Sequence, residues 1–452
     1  MRKSEACECD SRDSCRKSMY QEISIYCVQT LDSVKMVGIK ALPRVCRALF
    51  FFIVFLLCCA SILIEQHFLF EILNLEGGQR QKWINHTKIQ FVTLLVFITS
   101  MILPSNMNLT YEVDSIPDGD IYDADSKGNF SNIMNPNSVI ISNHQIYVDW
   151  LYIWFLSCVG NLGDSVLIML KDLSRIPGFG YGMKLFNFMF LSRKWNKDKV
   201  VLTNQLLLAD ANARGLGPAN GESYTSVVKD STGQNVIVWP QGHRAGQGWP
   251  YQVLLFPEGT VISSSTKERS NKYCDVRGIP RFKNVLLPRM KGLYLTLQQL
   301  RHTAEVVYDI TCAYSEVDAG VFAEDIFTLK GLYLLGVGPK TINYYIRAWK
   351  LSDIPLGPDV LDIDEIDDEY YKKFENWLLD RWYEKDDIMS KFYKYKTFEN
   401  PEMPLSQETV KGKFKIRHFT REVLTTFIPL VLFTLFCWGG VVFVKSAIKA
   451  FY

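Results

Sequence analysis

The chain has 452 residues, with 50 Lys or Arg against 48 Asp or Glu and a formal net charge of +2. That balance speaks against a dedicated nucleic-acid binder, which carries a basic excess; 28 Gly and 17 Pro are ordinary counts that exclude a collagen-like or low-complexity chain. A mean hydropathy of +0.01 is high for a soluble protein and directs attention to membrane segments.

Residues 1–47 form a polar tail with nine Lys or Arg. Ala48–Ile64 follows as 17 uncharged residues, at the lower limit of about 17 for a bilayer-crossing helix. It starts too late for a usual cleaved leader and reads as an anchor. Ile89–Leu103, 15 residues stopped by Pro104, either crosses with help from its flanks or returns within one leaflet. The two runs predict a membrane-anchoring hairpin over 48–111. The loop between them carries Asn85-His86-Thr87, a glycosylation sequon usable only if that loop is lumenal.

Residues 130–395 form the large central block. Ser138–Ser142 reads as a buried strand, 147–159 as a helix and Val166–Leu170 as a second strand. Val200–Ala213 has helical composition. The Gly- and Pro-rich stretch 214–250 reads as a long, mobile surface insertion with a short strand at Val236–Trp239. Gln252–Phe256 and Val285–Leu287 read as strands, Lys291–Leu300 as a helix and Val306–Ala313 as a strand. Alternating strands and helices predict an α/β core. Asp359–Glu369 holds seven carboxylates and reads as a solvated loop or helix start. Phe374–Tyr395 is an amphipathic helix. After a basic linker, 396–422, Val423–Val444 offers 22 uncharged residues, long enough to span despite Pro429. Lys411, Lys413, Lys415, Arg417 and Arg421 before it, and Lys35, Lys40, Arg44 and Arg47 before the first run, place the tail and the central block in the cytosol by the positive-inside rule. The 11 cysteines make no zinc pattern, and their scatter favours reduced thiols.

Four blocks carry chemistry. In Asn143-His144-Gln145-Ile146-Tyr147-Val148-Asp149-Trp150 the His and Asp are five apart. On one helix they would point about 140° apart, so the spacing works if His144 lies in the turn before the helix and Asp149 in its first turns. The carboxylate then holds one imidazole nitrogen and leaves the other as a base. Phe256-Pro257-Glu258-Gly259-Thr260 ends a strand, where ligands of α/β sheets bind; Pro257 directs the chain and Gly259 permits positive φ. Phe188–Arg193, followed by Lys194, and Leu287-Pro288-Arg289-Met290-Lys291 put cations at strand ends, suited to phosphate. Singly, each block also fits a bland surface turn or strand end.

Their order resembles the glycerophospholipid acyltransferase family of the 1-acylglycerol-3-phosphate acyltransferase type. Within it, His144-Gln145 with Asp149-Trp150, Ser270-Asn271, and the block from Trp377-Leu378 through Arg381-Trp382 and Glu384-Lys385-Asp386 look like the eukaryotic lysocardiolipin and lysophosphatidylinositol acyltransferase branch. The resemblance covers about 130–395. The 214–250 insertion departs from that branch, and Asn187 stands where the family usually has a glycine.

The resemblance implies an acyltransferase-type mixed sheet flanked by helices, with the hydrophobic hairpin before it and the transmembrane helix after it. It also implies roles. His144 would be the general base, oriented by Asp149, that activates a lysophospholipid hydroxyl against a long-chain acyl-CoA thioester. Asn143 and Gly259 would help stabilise the oxyanion. Arg193 would hold the acceptor phosphate, Glu258 and Thr260 its glycerol part, and Arg289 an acceptor or CoA phosphate. Acyl-CoA is a co-substrate, and neither a cofactor nor a metal is expected. The expected location is the endoplasmic reticulum membrane with a cytosolic catalytic domain. A non-catalytic lipid-binding scaffold and a lipid hydrolase are the competing classes; intact His144, Asp149, Arg193 and Glu258 weigh against the first, and dependence on acyl-CoA and an acceptor separates the second.

Overall fold

Short apolar strands leave unpaired amides along both edges; pairing into a sheet satisfies these, and the helices that connect parallel strands cover both faces. The computed structural model describes residues 44–176, 179–192, 194–246, 248–416 and 419–451. Two helices open it, α1 (Arg44–Ile72) and α2 (Gly77–Ile102). Strand β1 (Asn106–Glu112), the hairpin β2 (Ile121–Ala124) and β3 (Phe130–Ile133), and β4 (Asn137–Ser142) follow. Next come α3 (Asp149–Val159), β5 (Val166–Lys171), α4 (Phe179–Leu185), β6 (Met189–Leu191) and α5 (Trp195–Ala213). A second hairpin, β7 (Ser226–Lys229) and β8 (Asn235–Val238), precedes β9 (Tyr251–Leu255), α6 (Ser264–Arg277) and α7 (Met290–Leu300). The chain ends with β10 (Val306–Tyr314), α8 (Ala323–Ile326), β11 (Thr341–Lys350), α9 (Asp368–Tyr395), β12 (Gln407–Lys413), α10 (Phe419–Thr426) and α11 (Ile428–Phe451).

Eight strands form one mixed sheet in the order β12-β1-β11-β10-β4-β9-β5-β6. From β10 to β6 all neighbours are parallel; β11 runs against β10, and β12 against β1. Side chains of a strand alternate between faces, and two cores result. Ile140, Ile168, Leu254 and Ile310 face α2 and α3, while Val139, Ile141, Leu167, Val253 and Val307 face α5, α7 and α9. The protein is thus α/β, as expected, with an apolar helix at each end of the described chain.

The sheet draws strands from beyond 130–395. β1 precedes that block and β12 lies within 396–422, the stretch read as a linker. Val285–Leu287 is not a strand. Its backbone N–H groups go to side chains: Val285 to Asp386 at 3.1 Å, Leu286 to Glu258 at 3.2 Å and Leu287 to Ser270 at 2.9 Å. Nor is the 214–250 insertion an untethered loop. β7 and β8 pair antiparallel, and the buried Lys199 ammonium joins Asp230 of their turn to Asp362 and Asp364, at 3.2, 2.9 and 2.7 Å. Asp362, from the acidic run read as solvated, is buried.

α1 and the Val423–Val444 segment are each long and apolar enough to cross a membrane. α1 exposes Leu49, Phe50, Phe52, Ile53, Leu56 and Leu57, and α11 exposes Val431, Leu432, Phe433, Phe436 and Trp438. They meet where Leu430 N donates to Ser61 Oγ at 3.0 Å. The second apolar run lies in α2, whose Val92, Leu94, Val96 and Ile98 are buried. The sequon is inside this helix and not in a loop. Asn85 Nδ2 donates to Asp164 Oδ2 at 3.0 Å, and Thr87 is fully buried under Gln66. The expected result is therefore an unglycosylated Asn85, checked by intact mass before and after endoglycosidase treatment of protein expressed in a eukaryotic cell.

Candidate active site

Parallel neighbours β4 and β9 both release the chain at their carboxyl ends, so their following turns meet. β4 ends at Ser142, and His144 sits in the turn before α3, whose first residue is Asp149. The turn lets the five-residue spacing close: His144 Nδ1 lies 2.9 Å from Asp149 Oδ2. That oxygen also accepts from Gln145 N at 2.6 Å and Ile146 N at 2.9 Å. The other accepts a short hydrogen bond from Tyr314 OH, 165 residues away at the end of β10. Asp149 is fully buried, whereas the His144 side chain keeps 15% of its surface. An ionised carboxylate accepts only, so Nδ1 carries the proton and Nε2 keeps its lone pair. Phe256 stacks on the imidazole with centroids 4.2 Å apart.

Glu258 lies in the β9 turn. Its Oε2 accepts from His144 N and its Oε1 from Leu286 N, both at 3.2 Å. One buried carboxyl thus ties the His144 turn to the 283–289 loop, and Ile262 N closes the same junction on His144 O at 3.0 Å. Burial pushes the Glu258 carboxyl up to about 8, against the pull of the Leu286 and His144 N–H groups and of the Lys385 and Lys267 ammonium groups. Gly259 has φ +70, and a Cβ there would lie 2.9 Å from Arg289 Nε. Glycine suits the positive-φ conformation, and a side chain there would displace the guanidinium laid across it. Arg289 is exposed and Thr260, next to Gly259 in sequence, is half-buried; Arg289 N donates to Pro257 O at 2.7 Å.

The 283–289 loop is shaped from behind. Asp386 of α9 accepts from the N–H groups of Lys283 (2.8 Å), Asn284 (2.6 Å) and Val285 (3.1 Å). Its neighbour Lys385 is fully buried, with Nζ 2.6 Å from Asp309 Oδ1 and 2.7 Å from Ile310 O. Burial works against the charge of Asp309, but Lys385 and Arg347 together hold its carboxyl below the ordinary carboxylate range. The Glu384-Lys385-Asp386 block is therefore a brace between α9, β10 and the site.

Other expected site residues fall elsewhere. Both ends of the Asn143 amide are engaged on Cys312 of β10, at 3.0 Å to its carbonyl and 2.8 Å from its N–H. The Gly259 N–H closes its own turn on Phe256 O at 2.9 Å. These bonds give both groups structural partners, Asn143 on β10 and Gly259 in its own turn. Arg193 lies outside the described residues; Ser192 and Lys194 on either side donate backbone N–H bonds to Asp198, at 2.8 and 3.1 Å. Three contributors lie outside the four chemical blocks: Asp386 and Ser270 stand only in segments that resemble the branch, and Tyr314 carries no local signal.

A family model described as Acyltransferase matches residues 126–315, which hold His144, Asp149, Glu258 and Arg289. The chain is 38% identical to 2-acyl-1-lysophosphatidylinositol acyltransferase of Saccharomyces cerevisiae over 368 residues, 80% of this chain and 88% of that one. It is 27% identical to lysophosphatidylinositol acyltransferase 10 of Caenorhabditis elegans over 323 residues, 68% and 67% of the two. It is 26% identical to lysocardiolipin acyltransferase 1 of Danio rerio over 265 residues, 58% and 54%. No solved structure matches it. With an oriented histidine inside the matched segment and a relative aligned along most of both chains, the chain belongs to the acyltransferase family of phospholipid metabolism.

Proposed function

We propose that this chain transfers an acyl group from acyl-CoA to the free hydroxyl of a lysophospholipid at the cytosolic face of the endoplasmic reticulum membrane. Lysophosphatidylinositol is the favoured acceptor and lysophosphatidic acid the second. The observation that carries the reading is His144 held through Nδ1 by buried Asp149, one hydrogen bond from Glu258. Names of the relatives support the acceptor, and basic residues before both apolar segments support the orientation.

His144 Nε2 takes the hydroxyl proton as the acceptor oxygen attacks the thioester carbonyl, forming the C–O bond. Collapse of the tetrahedral species breaks the C–S bond, and the imidazolium returns its proton to the CoA sulfur. Asp149 stabilises the transient imidazolium without taking the proton. No acyl-enzyme forms. Arg193 and Arg289 receive acceptor or CoA phosphate as charge-assisted partners. Glu258 and Thr260 serve the acceptor's glycerol part, Glu258 acting through the two loops it joins.

The test is acyl transfer by purified full-length protein in liposomes, with labelled acyl-CoA and a panel of lysophospholipids. Diacyl product is expected most rapidly with the inositol headgroup. Arg289→Ala is expected to raise the acceptor or acyl-CoA KM about 10-fold, the loss of one charge-assisted contact. Free fatty acid released without an acceptor would favour a hydrolase, and no product with any acceptor would sink the reading.

A further inference from the structure

β10 and β11 are antiparallel neighbours, a pair that two to five residues commonly join. Residues 315–340 lie between them instead, a length that marks a working loop more often than a passive one. From Ile326 to Pro339 the only charge is Lys330. Phe327 and Leu332 turn inward and are buried, yet Val321, Ile326, Leu329, Leu334 and Val337 are exposed. A loop washed by water on its outer side would carry polar residues there, and apolar patches of this kind mark contact surfaces.

The patch continues the exposed apolar surface of α1. Tyr333 OH lies 3.1 Å from Thr99 Oγ1 on the last turns of α2. A Cβ at Gly336 would lie 2.9 Å from Arg47 Nη2, and one at Gly338 2.8 Å from Leu103 Cδ2. Arg47 stands in the first turn of α1, directly before exposed Leu49, Phe50, Phe52 and Ile53. The loop also leaves the sheet at the carboxyl end of β10, the end that β4 shares with His144. Within it, Phe327 packs edge-on against Tyr314 at 5.7 Å, and Tyr314 donates to Asp149.

We propose that the 326–337 part of this loop is a lipid contact, dipping into the leaflet that holds α1, with Glu324 and Asp325 before it at the headgroup level, and setting the His144 end of the sheet against the bilayer. It rests on the reading above that the enzyme works on membrane lipids with α1 in the bilayer. Ile326 and Leu329 enter the acyl region, and Lys330 keeps its ammonium at the headgroups. Through Phe327 and Tyr314 the leaflet lies two packed rings from the carboxylate that orients the base.

The test places the photoreactive residue p-benzoylphenylalanine at Leu329, at Phe52 of α1 or at exposed Lys272 of α6, in full-length protein reconstituted in phosphatidylcholine vesicles. Irradiation and intact mass then report what each position touches. Lipid adducts are expected at 329 and 52 and not at 272. An adduct at 52 but not at 329 overturns the inference and leaves α1 in the bilayer. Adducts at neither overturn both, and a protein crosslink at 329 overturns it in favour of a protein partner. In parallel, the Ile326→Asp, Leu329→Asp double variant is expected to raise KM for vesicle-borne acceptor while leaving KM for a monomeric short-chain acceptor unchanged. An equal rise for both acceptors overturns the inference.

Discussion

His144→Ala is expected to lower acyl transfer by about 10²–10⁴-fold, the contribution of a positioned general base, with the fold intact. The imidazole is only partly buried and stacks on Phe256 without filling a core position. Turnover and circular dichroism, measured on the same preparation, separate chemistry from folding. Asp149→Asn provides the contrast. Asp149 accepts from His144, Gln145, Ile146 and Tyr314, and an amide group would turn a donor toward some of those donors. Activity should fall here together with the unfolding midpoint. Full activity in His144→Ala would remove the base from the mechanism.

Glu258→Ala is expected to lower both stability and turnover. Two buried N–H groups, of His144 and Leu286, lose their acceptor, at about 1–3 kcal/mol each, and the loops they belong to part. The pH dependence has a definite sign. Burial raises this carboxyl from an ordinary 4.5 to about 8, so between those values the folded protein holds a proton that the unfolded chain has released. Stability from that proton is complete below pH 4.5 and is lost as pH rises through about 8. The margin of wild type over Glu258→Ala should shrink across this window when unfolding midpoints are compared in detergent. A margin that is flat or grows with pH would show that the carboxyl is not held neutral.

Much of the site was readable because its chemistry is local. The His144–Asp149 spacing implied a turn followed by a helix start, which is the geometry observed. Pro257 and Gly259 announced a tight strand-end turn, and Gly259 does adopt positive φ. What supports these residues was not readable. Tyr314 reaches Asp149 only because β10 lies beside β4, and Asp386 reaches 283–285 only because α9 packs across the strand ends. Val285–Leu287 has the composition of a strand, yet three side chains take the N–H groups a ladder would have used. β1 and β12 went unread because Asn106–Glu112 is enclosed between distant partners and Gln407–Lys413 is a polar edge strand.

The sequence by itself determined the α/β alternation, the two long apolar helices and the turn-then-helix spacing of His144 and Asp149. Each of these follows from hydrophobic period, segment length or short-range spacing, quantities written along the chain, whereas the acyltransferase family was legible only through the resemblance of its ordered motifs. Only the tertiary structure decided that α2 is a core helix and that Asn85 is locked onto Asp164. Only it decided that the insertion is fastened through Lys199 and that the Asn143 side chain bonds the backbone of β10. Those outcomes depend on which buried polar group finds which partner across long separations in sequence. An unpaired buried donor or acceptor is costly, so the assembled fold, and not local preference, settles its partner.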